Sequence, residues 1–159
     1  MRVEKIDFAN SEQAETCTRL LNIYAQDIMG GGKSLADNVL KNLPAELAAR
    51  SFAHAFIVYH NQKAIGLALC MEGFSTFSCK PLINIHDFMV IPEYRNQGVA
   101  KILLHAVEEF ARSIQCCKLT LEVLQGNAAA QRAYEKFGFT GYELNPEQGK
   151  ALFWEKALN

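Results

Sequence analysis

The sequence predicts a single α/β domain over residues 1–159, with a mixed sheet of six to seven strands that is flanked by helices on both faces. Two observations support this fold class. Segments with strand-like composition alternate along the chain with segments whose apolar residues recur at helical spacing. No linker, internal repeat or low-complexity block interrupts the 159 residues, a length that corresponds to about one domain.

The N-terminal third is expected to contain one strand and two helices. A short strand over residues 3–8 precedes a helix that Ser11 can cap, and this helix should stop at glycines 30–32. A second helix over residues 35–50 is expected to be bent or split at Pro44, because proline disfavours helical geometry in the residue before it.

A β-rich region follows, and then the strongest helix signal in the chain. The runs AHAFIVYH and KAIGLALCMEGF, separated by Asn61-Gln62, are typical of a two-stranded hairpin. The run PLINIHDFMV predicts a further strand that ends at Val90. Residues 97–115 carry a wide apolar stripe at helical period, which predicts an amphipathic helix.

The C-terminal third is predicted to add three strands and one helix. Residues 118–124 (KLTLEVL) are strand-like, and residues 127–137 predict a helix that ends at Gly138. Two more strands are expected at residues 139–144 and 151–157, separated by a Pro-Glu-Gln-Gly turn.

Composition and charge exclude several function classes. The 16 basic and 17 acidic residues give a net charge of −1, so a strongly basic nucleic-acid binder is excluded. No stretch approaches the roughly 18–20 apolar residues that cross a bilayer, and no membrane partner is expected. The five cysteines form no C-x-x-C pair and the four histidines are scattered, so neither a disulfide framework nor a metal site is expected. We expect reduced thiols and a cytoplasmic protein.

Two short patterns resemble known sites but lack their context. The run GGGKS at residues 30–34 matches the end of a phosphate-binding P-loop, but Asp27 occupies the first glycine position and the segment follows a helix instead of a strand. Cys116 and Cys117 are adjacent, and neighbours on a strand point to opposite faces. They are therefore interpreted as buried thiols and not as ligands of one ion.

The informative segment is INIHDFMVIPEYRNQGVAKILL, residues 83–104. A strand leads through a turn containing Pro92 into the start of the long helix, where several backbone N–H groups have no intrahelical acceptor. Gly98 and Ala100 carry no bulky side chain, so a pyrophosphate can approach the main chain closely. Taken alone, the segment is also compatible with an ordinary helix that has a glycine near its N-terminus.

Together with LEVLQGNAAAQRAYEKFGF, this segment resembles the GNAT family of acetyl-CoA-dependent N-acetyltransferases. The family signature is a strand ending in Val, a Pro-acid turn and [RQ]-x-x-G-x-[GA], followed by a strand, an Asn that opens a helix, and a Tyr near its end before Gly-Phe. The matching positions are Val90, Pro92, Glu93, Arg95, Gly98, Ala100, Asn127, Tyr134, Gly138 and Phe139. The chain departs from the pattern with Ala100 at the last small position and Asn96 where Gly is frequent. The resemblance implies the single-domain GNAT fold.

The resemblance also implies a site for acetyl-CoA as co-substrate, without a metal. The N–H groups of residues 97–100 would hold the pyrophosphate, and the main chain of residues 88–90 would pair with the pantetheine arm. The Phe88 N–H would face the thioester carbonyl and stabilise the oxyanion, an effect worth about 3–4 kcal/mol per donor. Asn127 would bond the cofactor arm, with plain helix capping as the competing role. The implied cofactor-binding residues are Phe88, Met89, Val90, Arg95, Asn96, Gln97, Gly98, Val99, Ala100 and Asn127.

Amide formation from an amine and a thioester needs a neutral amine and benefits from a proton for the departing sulfur. The family places a tyrosine at Tyr134 as that acid, and the alternative is a packed amphipathic tyrosine. Glu122, in the strand LTLEVL, is the first candidate base, because a partly apolar cleft raises a carboxyl pKa; exposure to solvent or a salt bridge is its alternative role. Asp87 is the second candidate, followed by Glu72 and His86. Water chains can also replace a base, and the carboxylates would then bind a cationic acceptor.

The implied reaction is direct attack of a primary amine on acetyl-CoA through a tetrahedral intermediate. A small amine, amino acid or polyamine is the first acceptor class, and a protein amino terminus is the second. A non-catalytic acyl-CoA-binding sensor and a structural interaction module are the other function classes, and Tyr134 with a carboxylate in reach favours the enzyme. The family often forms homodimers through its C-terminal strands, a role open to residues 151–154 (ALFW), whereas core packing is the other role open to Trp154.

Overall fold

The computed structural model describes residues 1–143 and 145–158, and it forms two compact units, Met1–Leu121 and Glu122–Asn159. The elements of the first unit are, in chain order, β1 (Arg2–Lys5), α1 (Ser11–Gln26), α2 (Asp37–Ala48), β2 (Ala53–His60), β3 (Lys63–Ser75), β4 (Lys80–Val90), α3 (Val99–Ser113) and β5 (Leu119–Leu121). The second unit contains α4 (Ala128–Phe137). Short 3-10 turns are formed by Ile28–Gly30, Pro92–Tyr94 and Pro146–Gln148.

The five strands form one mixed sheet in the order β1-β2-β3-β4-β5. The first four strands are antiparallel neighbours, and β5 is parallel to β4. The parallel pair requires a crossover connection, which α3 supplies. The predicted α/β class and mixed sheet are therefore confirmed.

Helices cover both faces of this sheet. Phe110 of α3 contacts the ring of Phe56 on β2, with ring centroids 5.6 Å apart. Phe56 lies in register with Phe88 across β3, so both side chains are on the α3 face. Asp87 points to the opposite face, where its charge acts on Tyr24 of α1.

The predicted apolar stripe of the long helix is confirmed as the seam between α3 and the sheet. The side chains that α3 buries are Val99, Leu103, Leu104, Val107 and Ala111. Their spacing repeats every three to four residues and places them on one side of the helix. Because Val99 belongs to this buried set, packing fixes the first turn of α3 against the sheet.

The predicted interruption of the second helix is wrong in one respect. Pro44 lies inside one continuous helix, Asp37–Ala48, and does not split it. Most of α2 is exposed, so water can reach the backbone carbonyl that the proline leaves without a donor.

The predicted count of six to seven strands is too high, since the described residues form five. The fifth strand is limited to Leu119–Leu121, shorter than the predicted 118–124. The described tail residues pair only through a single bridge between Glu143 and Lys150, and Leu144 lies outside the described residues. Trp154 is 82% exposed and does not fill a core. An isolated hairpin that buries little apolar surface is only marginally stable. An alternating sequence pattern was therefore not sufficient to predict strands in the tail.

No helix within the described ranges is long and apolar enough to cross a bilayer. Folding of residues 1–159 as a single domain stays a prediction.

Candidate active site

The parallel pairing of β4 with β5 ends before β4 itself ends. The ladder joins Ile83–Ile85 to Leu119–Leu121. On its other side β4 continues in register with β3 as far as Val90. Residues 86–90 therefore extend beyond β5, and within the described sheet no further strand adjoins their outer edge.

Hydrogen-bond alternation determines which main-chain groups of β4 face this outer edge. The Ile91 N–H donates to a β3 carbonyl at 3.0 Å, so Met89, two residues earlier, is also bonded towards β3. The main chains of Phe88 and Val90 point to the other side. The Val90 carbonyl accordingly accepts a bond from Arg95 Nε at 3.0 Å. Of the three residues predicted to line the pantetheine arm, two therefore present their main chain to the outer edge.

The turn after β4 has an unusual backbone at two positions. Asn96 has φ of 62° and Gly98 has φ of 82°, both in the left-handed region. Glycine adopts this region without steric cost, and asparagine tolerates it better than most residues. Alternation of left-handed residues with others turns successive N–H groups into a concave surface, the kind of geometry that binds anions.

The start of α3 leaves its amide donors without intrahelical partners. Gly98 is the N-cap residue and no side chain caps the helix. The first intrahelical bond runs from the Ile102 N–H to the Gly98 carbonyl at 3.2 Å. The N–H groups of Val99, Ala100 and Lys101 therefore have no acceptor within the helix, and they add to the partial positive charge of its N-terminus.

Two predicted cofactor-binding side chains bond to the protein itself. Arg95 Nη2 donates to Asp27 Oδ2 at 2.6 Å, in addition to the bond from its Nε to Val90. Gln97 Nε2 donates to the Glu93 carbonyl at 2.9 Å. These bonds fix the shape of the turn and leave its main-chain amides as the donors for an anion.

Asp87 is the carboxylate whose burial matches the environment expected of a base. Its side chain is half-buried between β4 and α1. Burial raises the pKa of the Asp87 carboxyl above its ordinary value, and the neighbouring His86 partly offsets this rise. The other two candidates in the first unit differ from Asp87 in their surroundings: Glu72 Oε2 is 3.4 Å from His54 Nε2, and His86 is exposed at a β-bulge of β4, where the alternation of faces is broken.

The remaining predicted site residues lie in the second unit. Glu122 directly follows β5 and is exposed, so its predicted position within a strand is wrong because the strand ends at Leu121. Asn127 caps α4, with its Oδ1 accepting the Ala130 N–H at 3.2 Å. Tyr134 is buried on α4, with its ring 5.8 Å from that of Phe139 in an edge-to-face contact.

The first unit thus brings together Asp87, the outer edge of β4 at residues 88–90 and the turn 95–100 along one continuous stretch of chain. Sequence reasoning missed the pairing of Asp27 with Arg95. The two residues are 68 positions apart, and no periodicity or motif links them.

The two misleading patterns are resolved. The glycine-rich run begins at the last residue of the 3-10 turn Ile28–Gly30, which follows α1, and this is not the strand-to-helix context of a P-loop. Cys116 and Cys117 are half-buried and precede β5 instead of lying on it. Within the described ranges, no group of three or more His, Cys, Asp or Glu residues is arranged to hold a metal ion.

Comparison with known proteins gives consistent matches. A model of the acetyltransferase (GNAT) family matches residues 18–139. Streptothricin acetyltransferase of Streptomyces lavendulae is 33% identical over 100 residues, which are 60% of this chain and 53% of that protein. The chain spans about half, or less, of the length of the first curated relatives it matches.

Two solved structures are similar over their whole length. A probable acetyltransferase has a TM-score of 0.82 at 21% identity, with 100% of both chains covered. An aminoglycoside N-acetyltransferase in complex with CoA has a TM-score of 0.67 at 18% identity, covering 99% of this chain and 100% of that one. At these identities the structural matches show a shared fold.

Proposed function

We propose that this chain, which belongs to the GNAT family of acetyltransferases, transfers an acetyl group from acetyl-CoA to a primary amine. One observation carries the proposal. A strand that continues beyond its parallel neighbour leads through a turn into a helix start that no side chain caps. This arrangement offers an extended main-chain edge and a cluster of amide donors, which are the two features that an acyl-CoA needs.

The turn before α3 binds the diphosphate of acetyl-CoA. The amides of residues 97–100 supply donors, and the helix N-terminus adds a favourable partial charge. Gly98 permits the left-handed conformation, and an added Cβ there would meet no heavy atom within 4 Å, so the surface beside it is open. The departures from the family pattern, Asn96 and Ala100, are compatible with this role because main-chain groups are the donors.

The pantetheine arm lies along the outer edge of β4 as an added strand. The main chains of Phe88 and Val90 face this edge and are positioned to bond its amides. The Phe88 N–H polarises the thioester carbonyl. It then stabilises the oxyanion of the tetrahedral intermediate, a contribution of about 3–4 kcal/mol for one well-placed donor.

Proton transfer completes the reaction. The ammonium form of the amine loses one proton to a base, and the neutral amine attacks the thioester carbon to give the tetrahedral intermediate. The intermediate collapses with cleavage of the C–S bond, Tyr134 protonates the departing thiolate, and the second proton lost by the nitrogen restores the tyrosine. Burial and a raised pKa support Asp87 as the base, because such a carboxylate accepts a proton closer to neutral pH. Glu122 is the second candidate. It adjoins the end of β5, and its exposure does not exclude action through water.

The acceptor class we propose is a small molecule that carries several amino groups. Relatives of the chain are named for streptothricin and aminoglycosides. The Asp87 carboxylate lies on the α1 side of the sheet, where it attracts a cationic amine. A protein amino terminus is the competing acceptor class.

The test is an assay of acetyl-CoA turnover in which the release of free thiol is measured. Purified protein is offered an aminoglycoside, a polyamine, lysine and a short peptide with a free amino terminus. Thiol release with at least one amine and a heat of CoA binding in calorimetry support the proposal. CoA binding without release from any amine would instead support a non-catalytic sensor, and no binding at all would refute both.

Variants assign the base. We expect Asp87→Asn to lower kcat by about 10²-fold or more, since general base catalysis contributes roughly 10²–10⁴-fold. Glu109→Gln, which removes one exposed carboxylate from the C-terminal half of α3, is the control and should retain wild-type turnover. A larger loss in Glu122→Gln than in Asp87→Asn would transfer the role of base to Glu122.

A further inference from the structure

Asp27, the residue that follows α1, makes contacts in two directions. Its carbonyl accepts the N–H groups of Gly30 at 2.9 Å and Gly32 at 3.0 Å, and its Oδ1 accepts the Met29 N–H at 2.9 Å. Its other carboxylate oxygen, Oδ2, accepts Arg95 Nη2 at 2.6 Å. Asp27 therefore stabilises the α1–α2 connection by hydrogen bonds within it and also links this connection to the turn that precedes α3.

The second contact continues into β4. The same guanidinium that binds Asp27 donates from its Nε to the Val90 carbonyl at 3.0 Å. Val90 is the last residue of β4, and Arg95 lies three residues before the N-cap Gly98. A planar guanidinium held at both of its sides has little rotational freedom, so the end of the strand and the turn are kept in a fixed relation.

We infer that Asp27 is a positioning residue for acetyl-CoA. Acting through Arg95, it holds the diphosphate turn at a fixed distance from the outer edge of β4. It also links the turn and this edge to the α1–α2 connection. This inference rests on the proposed function, because it assigns the turn to the diphosphate and the edge of β4 to the pantetheine arm.

If the Asp27–Arg95 pair served only to stabilise the fold, its loss would lower the thermal midpoint. The side chains of Arg95 and Asp27 are 48% and 21% exposed, and ion pairs this close to solvent contribute little to the free energy of unfolding. Loss of the pair should therefore leave the thermal midpoint nearly unchanged. What it should change is the alignment of two surfaces that bind one ligand, and misalignment appears as weaker binding.

A direct role of Arg95 on phosphate predicts the opposite sign. In that case Asp27 competes with the ligand for the guanidinium, and Asp27→Asn would free the positive charge and tighten CoA binding. In the positioning role, the same substitution loosens the turn and weakens CoA binding. The Asn side chain retains the shape of Asp and an acceptor oxygen for the Met29 N–H, but it presents an NH2 group to Arg95, so the substitution removes both the charge and the acceptor that hold the guanidinium.

The experiment is calorimetric titration of CoA into wild type, Asp27→Asn, Asp27→Glu and the control Glu15→Gln, which removes an exposed carboxylate from the N-terminal half of α1. We expect Asp27→Asn to raise the Kd about five- to tenfold. Asp27→Glu should recover part of the affinity because it restores the charge, and Glu15→Gln should bind as wild type does. With the most active amine, KM for acetyl-CoA should rise in parallel while kcat stays within about twofold.

The outcomes separate the inference from the proposed function. Equal or tighter CoA binding in Asp27→Asn, with normal binding by wild type, overturns the positioning role alone. Weaker binding that accompanies a fall in the thermal midpoint by more than about 5 °C also overturns it, since that pattern indicates general destabilisation. Wild-type protein that does not bind CoA refutes the proposed function and this inference with it.

Discussion

Replacing Gly98 by alanine tests two properties of the diphosphate turn: the left-handed conformation of its backbone and its ability to bind CoA. Gly98 has φ of 82°, and a Cβ added there would meet no heavy atom within 4 Å. The cost is therefore backbone strain and not a clash. A left-handed alanine costs roughly 1–2 kcal/mol, and the stiffer unfolded chain returns roughly 0.4–1 kcal/mol of this. We expect a net loss of about 1 kcal/mol, which lowers the thermal midpoint by about 3 °C for a chain of this length.

Binding of CoA should fall by more than this strain implies. The strain shifts the amides of the turn, and losing one charge-assisted hydrogen bond costs about 1.5–3 kcal/mol, equivalent to about a 10- to 150-fold rise in Kd. The matched control is Gly138→Ala, because Gly138 caps α4 with φ of 105° and also has no heavy atom within 4 Å of an added Cβ. Both variants should lose similar stability, but only Gly98→Ala should lose CoA affinity in calorimetry. Unchanged affinity in Gly98→Ala would refute the assignment of this turn to the diphosphate.

Three further predictions concern the chemistry and the core. Tyr134→Phe should lower kcat by at least about tenfold with little change in KM for acetyl-CoA, and unchanged kcat in steady-state assays would remove Tyr134 as the acid. Because burial raises the pKa of Asp87 in the folded protein, its ionisation destabilises the fold as pH rises through the interval between the ordinary and the raised value. Asp87→Asn should therefore be more stable than wild type at neutral pH in denaturant unfolding, although it is less active; a loss of stability there would contradict the assigned environment. Leu103→Ala removes a side chain with 0% exposure and should cost about 2–5 kcal/mol in the same unfolding assay. A cost below about 1 kcal/mol would show that the α3 seam is not closely packed.

The sequence pattern was sufficient to predict the helices and strands that bury a wide apolar surface. The long helix was predicted at residues 97–115 and is observed as Val99–Ser113, because its stripe of large apolar residues has one stable arrangement against the sheet. The strand that ends at Val90 and the glycine-containing turn that follows it were predicted from local chemistry. That chemistry is encoded by adjacent residues and needs no tertiary information.

The tail shows why an alternating pattern alone was insufficient. Strands were expected at residues 139–144 and 151–157, yet the described residues there form one isolated bridge. Phe153 is 76% exposed, so burial of its apolar side chain contributes little to holding a strand there. Alternation shows which residues can share a face, but a strand also needs a neighbouring strand, and that neighbour is not written in the local sequence.

The site was predictable where it depends on the main chain and less so where it depends on side-chain burial. Its apolar neighbours in sequence make Glu122 the first candidate base, but the residue follows the end of β5 and is exposed. The burial of Asp87 arises from its position between β4 and α1, elements far apart in the chain. The Asp27–Arg95 pair was missed for the same reason.

The most direct test of the central claim is to titrate CoA into isotope-labelled protein and follow each backbone amide by nuclear magnetic resonance. We predict that the largest shifts occur at the amides of Gly98, Val99 and Ala100, with further shifts at Val90 on the outer edge of β4. Shifts confined to other segments, or a spectrum that CoA does not change, would contradict the claim that this turn and this edge bind the cofactor.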